Sequence, residues 1–252
     1  MAFDKDKIIG EIKNSGFGLE INSALLLNKN DWQTTLNSRY FNSDLNGFRE
    51  IDIVAVRENK RMKGVEDCLI IECKKSEKNP WVFFNKNITG VSTPFNLTIV
   101  AAGDGSHYKQ FEKLAKEHYY TKNPVHTYYM VAYANDNNKK RGMINQALDQ
   151  VLNSLMFLFE QEYLFLEKYK IASAKIMYPV IVLDGQLLSA IVSKDDIAVS
   201  EASHVQLHIV RQEKNTIDIP WSKEMMRILK SKTFVIDIVQ KDYFEEFLKN
   251  FD

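Results

Sequence analysis

Only two cysteines, Cys68 and Cys73, occur in the 252 residues, five apart in one apolar segment. They cannot build a disulfide framework, and no second Cys pair completes a zinc site. The reading is two buried thiols in a reducing compartment. Long apolar runs are missing too. The most apolar stretch, 156–166, carries Glu160 and Glu162 and is too short to span a bilayer. The opening Met-Ala-Phe-Asp-Lys-Asp-Lys contains no apolar signal core. These absences lead to the expectation of a cytoplasmic chain with no membrane partner. An excess of one charge sign is also lacking: 33 Lys+Arg against 33 Asp+Glu give a net charge of zero. That argues against a tail-type polyanion binder, but leaves room for a local basic groove. An apolar fraction of 45% with 26% charged residues is that of a folded globular chain, not a disordered one.

Periodicity divides the chain into helices and strands. Residues 5–30 read as helical, with a break or close approach at Gly16 and Gly18. Residues 32–40 read as a strand and 42–47 as a turn. Residues 49–57 form a clear strand, with Ile51, Ile53 and Ala55 alternating against Glu50, Asp52, Val54 and Val56. A polar, basic loop follows, then a strand over 68–75 that puts Ile70, Glu72 and Lys74 on one face. Pro80 to Phe84 suggests one helical turn, and 96–102 a strand. Residues 106–120 have the apolar spacing of an amphipathic helix, and 127–134 read as a strand. Residues 141–168 make the strongest helix, burying Ile144, Leu148, Val151, Leu155 and Leu158. Residues 178–184 are an apolar strand ending at Asp184-Gly185, a turn signal, with 187–192 expected to return as its hairpin partner. Strands over 204–210 and 234–239 and a helix over 243–251 complete a mixed α/β pattern.

Charged residues inside two of these strands suggest chemistry, because burying an uncompensated charge is costly. Alternation places Glu72 and Lys74 side by side. If the two strands pair, Asp52 lies opposite Glu72, and two carboxylates at a sheet rim make a hard-oxygen pocket suited to Mg²⁺ (or Mn²⁺). The backbone carbonyl of Cys73 can reach the same ion. Lys74 stands beside it, placed to orient water or to stabilise charge on a phosphate. The plain alternative for Glu72 and Lys74 is an exposed ion pair that compensates itself. What favours chemistry is the ordered conjunction: a helix with Glu20, a strand, the Asp52 strand, a loop, then the Glu72-Cys73-Lys74 strand.

In that order the sequence resembles the PD-(D/E)xK, or restriction-endonuclease-like, superfamily of nucleases. The resemblance runs from Gly16-Phe17-Gly18-Leu19-Glu20 through Arg49-Glu50-Ile51-Asp52 to Ile70-Ile71-Glu72-Cys73-Lys74. It continues loosely through the 141–168 helix and the 178–184 strand. It implies a restriction-endonuclease-like core, helices flanking a central mixed β-sheet. That core takes about 1–75 and 141–192 of a single domain, with an insertion over about 76–140 and an extension over about 193–252. It implies Asp52 and Glu72 as metal ligands, Lys74 as catalytic lysine and Glu20 as an added helix carboxylate. The expected activity is Mg²⁺-dependent hydrolysis of DNA, in a restriction or defence setting. The residue before Asp52 is Ile51, not the proline of the motif; many members lack that proline, so this weakens the motif match rather than the chemistry. Glu50, two residues from Asp52, is a rival ligand, otherwise expected at the solvent end or paired with Arg49. Cutting both strands at once with one site per chain calls for a homodimer, and a partner subunit also fits this superfamily. A catalytically silent module that binds nucleic acid or protein is the competing reading.

Lys60, Arg61 and Lys63 lie in the loop joining the two motif strands, Lys75 and Lys78 follow Lys74, and Lys139-Lys140-Arg141 opens the long helix. Their placement suggests a groove that tracks phosphates, although short basic clusters are more often solvated surface. Gln146 and Gln150, one turn apart with Asn153 continuing the stripe, could contact a phosphate backbone or Lys74. Related nucleases carry a glutamine on the helix after the catalytic strand. Trp81, Phe83 and Phe84 could stack on bases, though core packing is the simpler role. Other motifs fail. Gly103-Asp104-Gly105 lacks the rest of a phosphate-binding loop, the five histidines form no helical metal clasp, and no G-x-S-x-G elbow occurs.

Overall fold

The computed structural model describes residues 4–42, 46–89, 97–102, 108–133, 139–169, 173–194, 196–211 and 232–252. Gly103-Asp104-Gly105, His107 and the turn residues 43–45 lie outside them. Two helices lead, α1 (Lys5–Asn14) and α2 (Phe17–Lys29). The Asp4 side chain caps α1 by accepting the Lys7 N–H at 3.1 Å. Three strands follow as an antiparallel meander, β1 (Gln33–Asn42), β2 (Gly47–Glu58) and β3 (Val65–Thr89). Then come β4 (Thr98–Ala102), α3 (Tyr108–Glu117), β5 (Pro124–Val131) and the long α4 (Lys139–Tyr169). The chain ends with β6 (Ser173–Val192), β7 (Ile197–Glu201), β8 (His204–Arg211), β9 (Lys232–Gln240) and α5 (Phe244–Leu248). Among the described residues no helix is long and apolar enough to cross a membrane.

The strands form one mixed sheet in the order β1-β2-β3-β5-β8-β9-β6-β4, with β7 on β6. β3 also pairs with β6 in parallel, so β3, β5, β8, β9 and β6 close a ring of neighbours. A parallel neighbour needs a crossover, and α4 supplies the last helix of it. One core packs α2, α3 and α5 against Ile53, Ala55, Leu69, Ile71 and Val180. The other packs α4 against Ile70, Phe83, Ile181 and Ile236. Ile144, Leu148, Val151 and Leu155 face that second core as their spacing predicts; Leu158 is only half-buried.

Two local expectations are overturned. Trp81 and Phe83 lie in β3, not in a helical turn, and both are fully buried between β5 and β6. They cannot stack on bases. Short apolar runs carry no period that separates strand from helix, and pairing on both edges decides for strand. Asp184-Gly185 is not a hairpin turn either: β6 runs straight through it, still beside β3. Gly185 faces Ser76, and a Cβ at this position would stand 2.6 Å from the Ser76 carbonyl oxygen. The glycine therefore serves a close backbone approach rather than a bend. Gly185→Ala is expected to cost about 1–3 kcal/mol through this clash. A urea midpoint equal to wild type would show that β3 and β6 are not so closely apposed.

Buried polar groups cluster on the α2 side. Asp237 is fully buried and accepts from Tyr119 Oη at 2.7 Å and Tyr120 Oη at 3.1 Å, while its other oxygen meets His204 Nε2 at 2.7 Å. His118 stacks on Tyr178 and accepts the Tyr120 N–H on Nδ1 at 3.2 Å. Burial pushes His118 down to about 3 from the ordinary 6.5. The unfolded chain therefore takes up this proton first, and stability is lost as pH falls below 6.5 toward 3. Between pH 7.5 and 5 this one group removes roughly 2 kcal/mol. Urea unfolding of His118→Gln at the two pH values should show a gap smaller by that amount. An unchanged gap would mean that His118 is not held neutral.

Candidate active site at the β2–β3 fork

The β2–β3 ladder runs from Glu58 opposite Glu66 to Ile53 opposite Ile71. Continued by one step, this register would set Asp52 opposite Glu72. There the regular pairing stops, and the half-buried Asp52 carboxylate takes over. Its Oδ2 accepts the backbone N–H of Cys73 at 2.7 Å. In an extended strand the N–H and C=O of one residue point to the same side, so the Cys73 carbonyl also turns toward β2. On the other edge of β2, Asn37 adopts a positive φ of 51° and drops out of the β1 register opposite Asp52. The strand rotates here: Ile51 packs into the α4-side core and Ile53 into the α2-side core. All three apolar residues of that strand face are buried, but they do not share one core.

Glu72 is 2% exposed, and its Oε1 accepts from Lys74 Nζ at 2.5 Å. Alternation thus sets the two side by side, and the pair is largely buried rather than on the surface. Burial pushes the Glu72 carboxyl up to about 7, with the Asp52 charge adding to the rise and Lys74 opposing it. Desolvation also raises Asp52, against the Cys73 N–H and Lys74. Glu20, on α2, lies near enough to feel both: burial raises its carboxyl most, then Asp52 and Glu50. Its Oε1 folds back over Gly16, 3.5 Å from where a Cβ would stand. Asp52 thus raises both Glu20 and Glu72, Glu20 adds to the rise of Glu72, and Lys74 is the counter-charge shared by all three. Such a cluster is electrostatically short of positive charge.

Among the described residues no three His, Cys, Asp or Glu side chains stand together as a ready-made metal cage. The donor set still suits a hard cation. Each of Asp52 and Glu72 keeps one oxygen without a hydrogen-bond partner among the described residues, and the Cys73 carbonyl faces the same side. Mg²⁺ is held by one or two carboxylates plus waters and substrate phosphates, not by all-protein cages. Cys73 itself is buried, and burial raises its thiol well above the ordinary range, so its side chain is no ligand.

The remaining predicted residues are spread out. Glu50 is exposed and pairs with its cross-strand neighbour Arg39 at 2.8 Å, not with Arg49. Lys75 pairs with Glu77 at 2.8 Å. Gln146 is exposed on α4; Gln150 is half-buried, and its Oε1 is buried without a hydrogen-bond partner among the described residues. Lys60, Arg61 and Lys63 occupy the turn at the far end of the β2–β3 hairpin. From Asp52 to Glu58 is six residues of strand, which separates them from the carboxylates by about 20 Å. Lys60 and Arg61 are engaged by residues 250–252. Sequence reasoning missed Arg57, which reaches Asp252 across 195 positions, because no local pattern connects residues so far apart.

No family model, curated protein or solved structure matches the chain significantly.

Proposed function

We propose that this protein is a metal-dependent nuclease of the restriction-endonuclease-like type, hydrolysing phosphodiester bonds, with DNA as the expected polymer. The observation that carries the reading is the β2–β3 fork. Asp52, Glu72 and Lys74 meet there at a break in the ladder, with Asp52 holding the Cys73 N–H and Lys74 holding Glu72. The strand arrangement supports it: an antiparallel β1-β2-β3 meander, then β6 parallel to β3, with α2 on one face and α4 on the other. Helices on both sides of a mixed sheet are compatible with the core that the sequence resemblance implies.

In this reading Asp52, Glu72 and the Cys73 carbonyl hold Mg²⁺ or Mn²⁺, with Glu20 completing the carboxylate set. A bound ion supplies positive charge that favours deprotonated water and offsets charge on phosphate oxygens. Lys74, now occupied by Glu72, donates to a phosphate oxygen as negative charge gathers on it. Asp52 keeps the two strands splayed by capping Cys73. The test is purified protein with plasmid DNA, with Mg²⁺ and with EDTA. Conversion of supercoiled plasmid only in the presence of Mg²⁺ or Mn²⁺ is expected.

The Glu72–Lys74 pair, which compensates itself without an ion, suits one second reading, a silent module that binds nucleic acid or protein. A metal-independent gel shift with no cleavage of duplex DNA, single-stranded DNA or RNA would select it.

A further inference from the structure

The turn at the far end of the β2–β3 hairpin is a second concentration of charge. A cavity of about 620 Å³ opens there, lined by Arg57, Lys60, Arg61 and Lys63 against Asp31 and Glu58. Its loop is built rather than loose. Asn59 Oδ1 accepts the N–H groups of Arg61 and Met62, each at 2.9 Å, and Asn59 Nδ2 donates to the buried Asp67 at 2.8 Å. Gly64, at φ +75°, turns the chain back into β3.

Arg57 forms the back wall. It is 7% exposed, and its guanidinium lies 4.5 Å over the Trp32 ring. An arginine stays charged in any protein environment and carries five N–H donors. Among the described residues only Nη1 has a hydrogen-bond partner, the Asp252 carboxylate at 3.2 Å, while Nε and Nη2 are buried without one. The same Asp252 oxygen accepts from Lys60 Nζ at 2.8 Å. Asp252 follows a firmly packed residue, since Phe251 is 4% exposed and lies among Trp32, Tyr119 and Tyr178. Its own side chain is half-exposed, so turning it away from Arg57 and Lys60 would leave Phe251 packed.

We propose that Arg57, Lys60, Arg61 and Lys63 form a phosphate-binding subsite for a nucleic-acid backbone, closed in the free protein by the Asp252 carboxylate acting as an internal stand-in for phosphate. A phosphate group offers more oxygens than one carboxylate and suits the fork of an arginine. The inference rests on the nuclease reading for its polymer. At about 20 Å from the carboxylates, the subsite would meet a phosphate roughly six base pairs from the cut.

The test is calorimetric titration without divalent cations, using sodium pyrophosphate in one arm and a 20-base-pair DNA duplex in the other. Asp252→Asn should bind both about tenfold more tightly, since it frees two cations and removes a competing anion. Lys60→Gln should bind both about tenfold more weakly, and Asp52→Asn should bind pyrophosphate as wild type does. Equal affinities for wild type and Asp252→Asn overturn the latch. Tighter pyrophosphate binding with unchanged duplex binding overturns the nucleic-acid backbone as ligand and leaves a site for free phosphate. If Asp252→Asn tightens duplex binding and no cleavage is ever seen, the subsite stands and the nuclease reading fails.

Discussion

Asp52→Asn and Lys74→Ala are each expected to lower the Mg²⁺-dependent cleavage rate by about a hundred- to a thousandfold, with the fold intact. Removing one carboxylate from a two-carboxylate set takes away a direct oxygen donor. Removing Lys74 takes away the cation paired with Glu72, and electrostatic stabilisers of this kind are worth roughly a hundred- to a thousandfold each. The two variants differ in a second readout. Asp52→Asn keeps an oxygen for the Cys73 N–H, so its thermal midpoint should stay close to wild type. Lys74→Ala leaves Glu72 buried at 2% exposure without its partner, and its carboxyl should shift further up. Plasmid cleavage across a Mg²⁺ series measures the first effect, and circular dichroism melts control for folding. If both folded variants cut at the wild-type rate, the assignment of the site is wrong.

Asp237→Ala is expected to destabilise the fold by about 3–5 kcal/mol, the largest stability effect of any single polar substitution proposed for this chain. Asp237 is fully buried and serves three donors from two separate parts of the chain: the adjacent Tyr119 and Tyr120, and His204. Its removal leaves two tyrosine hydroxyls and an imidazole N–H without an acceptor in a region walled by Phe247 and Phe251. Each such orphan costs about 1–3 kcal/mol, and partial relaxation lowers the sum. Asp237→Asn retains an acceptor and should lose less. Urea unfolding followed by circular dichroism separates the three proteins. Midpoints that coincide would mean the buried network contributes nothing to stability.

Much of the proposed site was legible in the sequence. Asp52 and Glu72 were readable because strand alternation is local: charges inside apolar strands mark their own faces. The conjunction with Glu20 was readable because the helix precedes the meander without interruption. The basic turn was readable as a cluster but misplaced as part of the same site, since charge composition does not say which end of a hairpin a loop occupies.

The sequence by itself determined the mixed α/β class, the strands that carry Asp52 and Glu72, and most of the buried stripe of α4. Those features follow from periods of two and 3.6 residues that each segment carries within itself. Only the tertiary structure decided that β3 continues through Trp81 and Phe83, and that Gly185 lets two strands touch instead of turning one back. It alone brought Asp52 onto the Cys73 N–H, gathered Tyr119, Tyr120 and His204 on Asp237, and set Asp252 against Arg57 and Lys60. These contacts join residues 21 to 195 positions apart. No short-range pattern encodes such pairs; they form because buried donors and charges must find partners wherever the packed chain provides them.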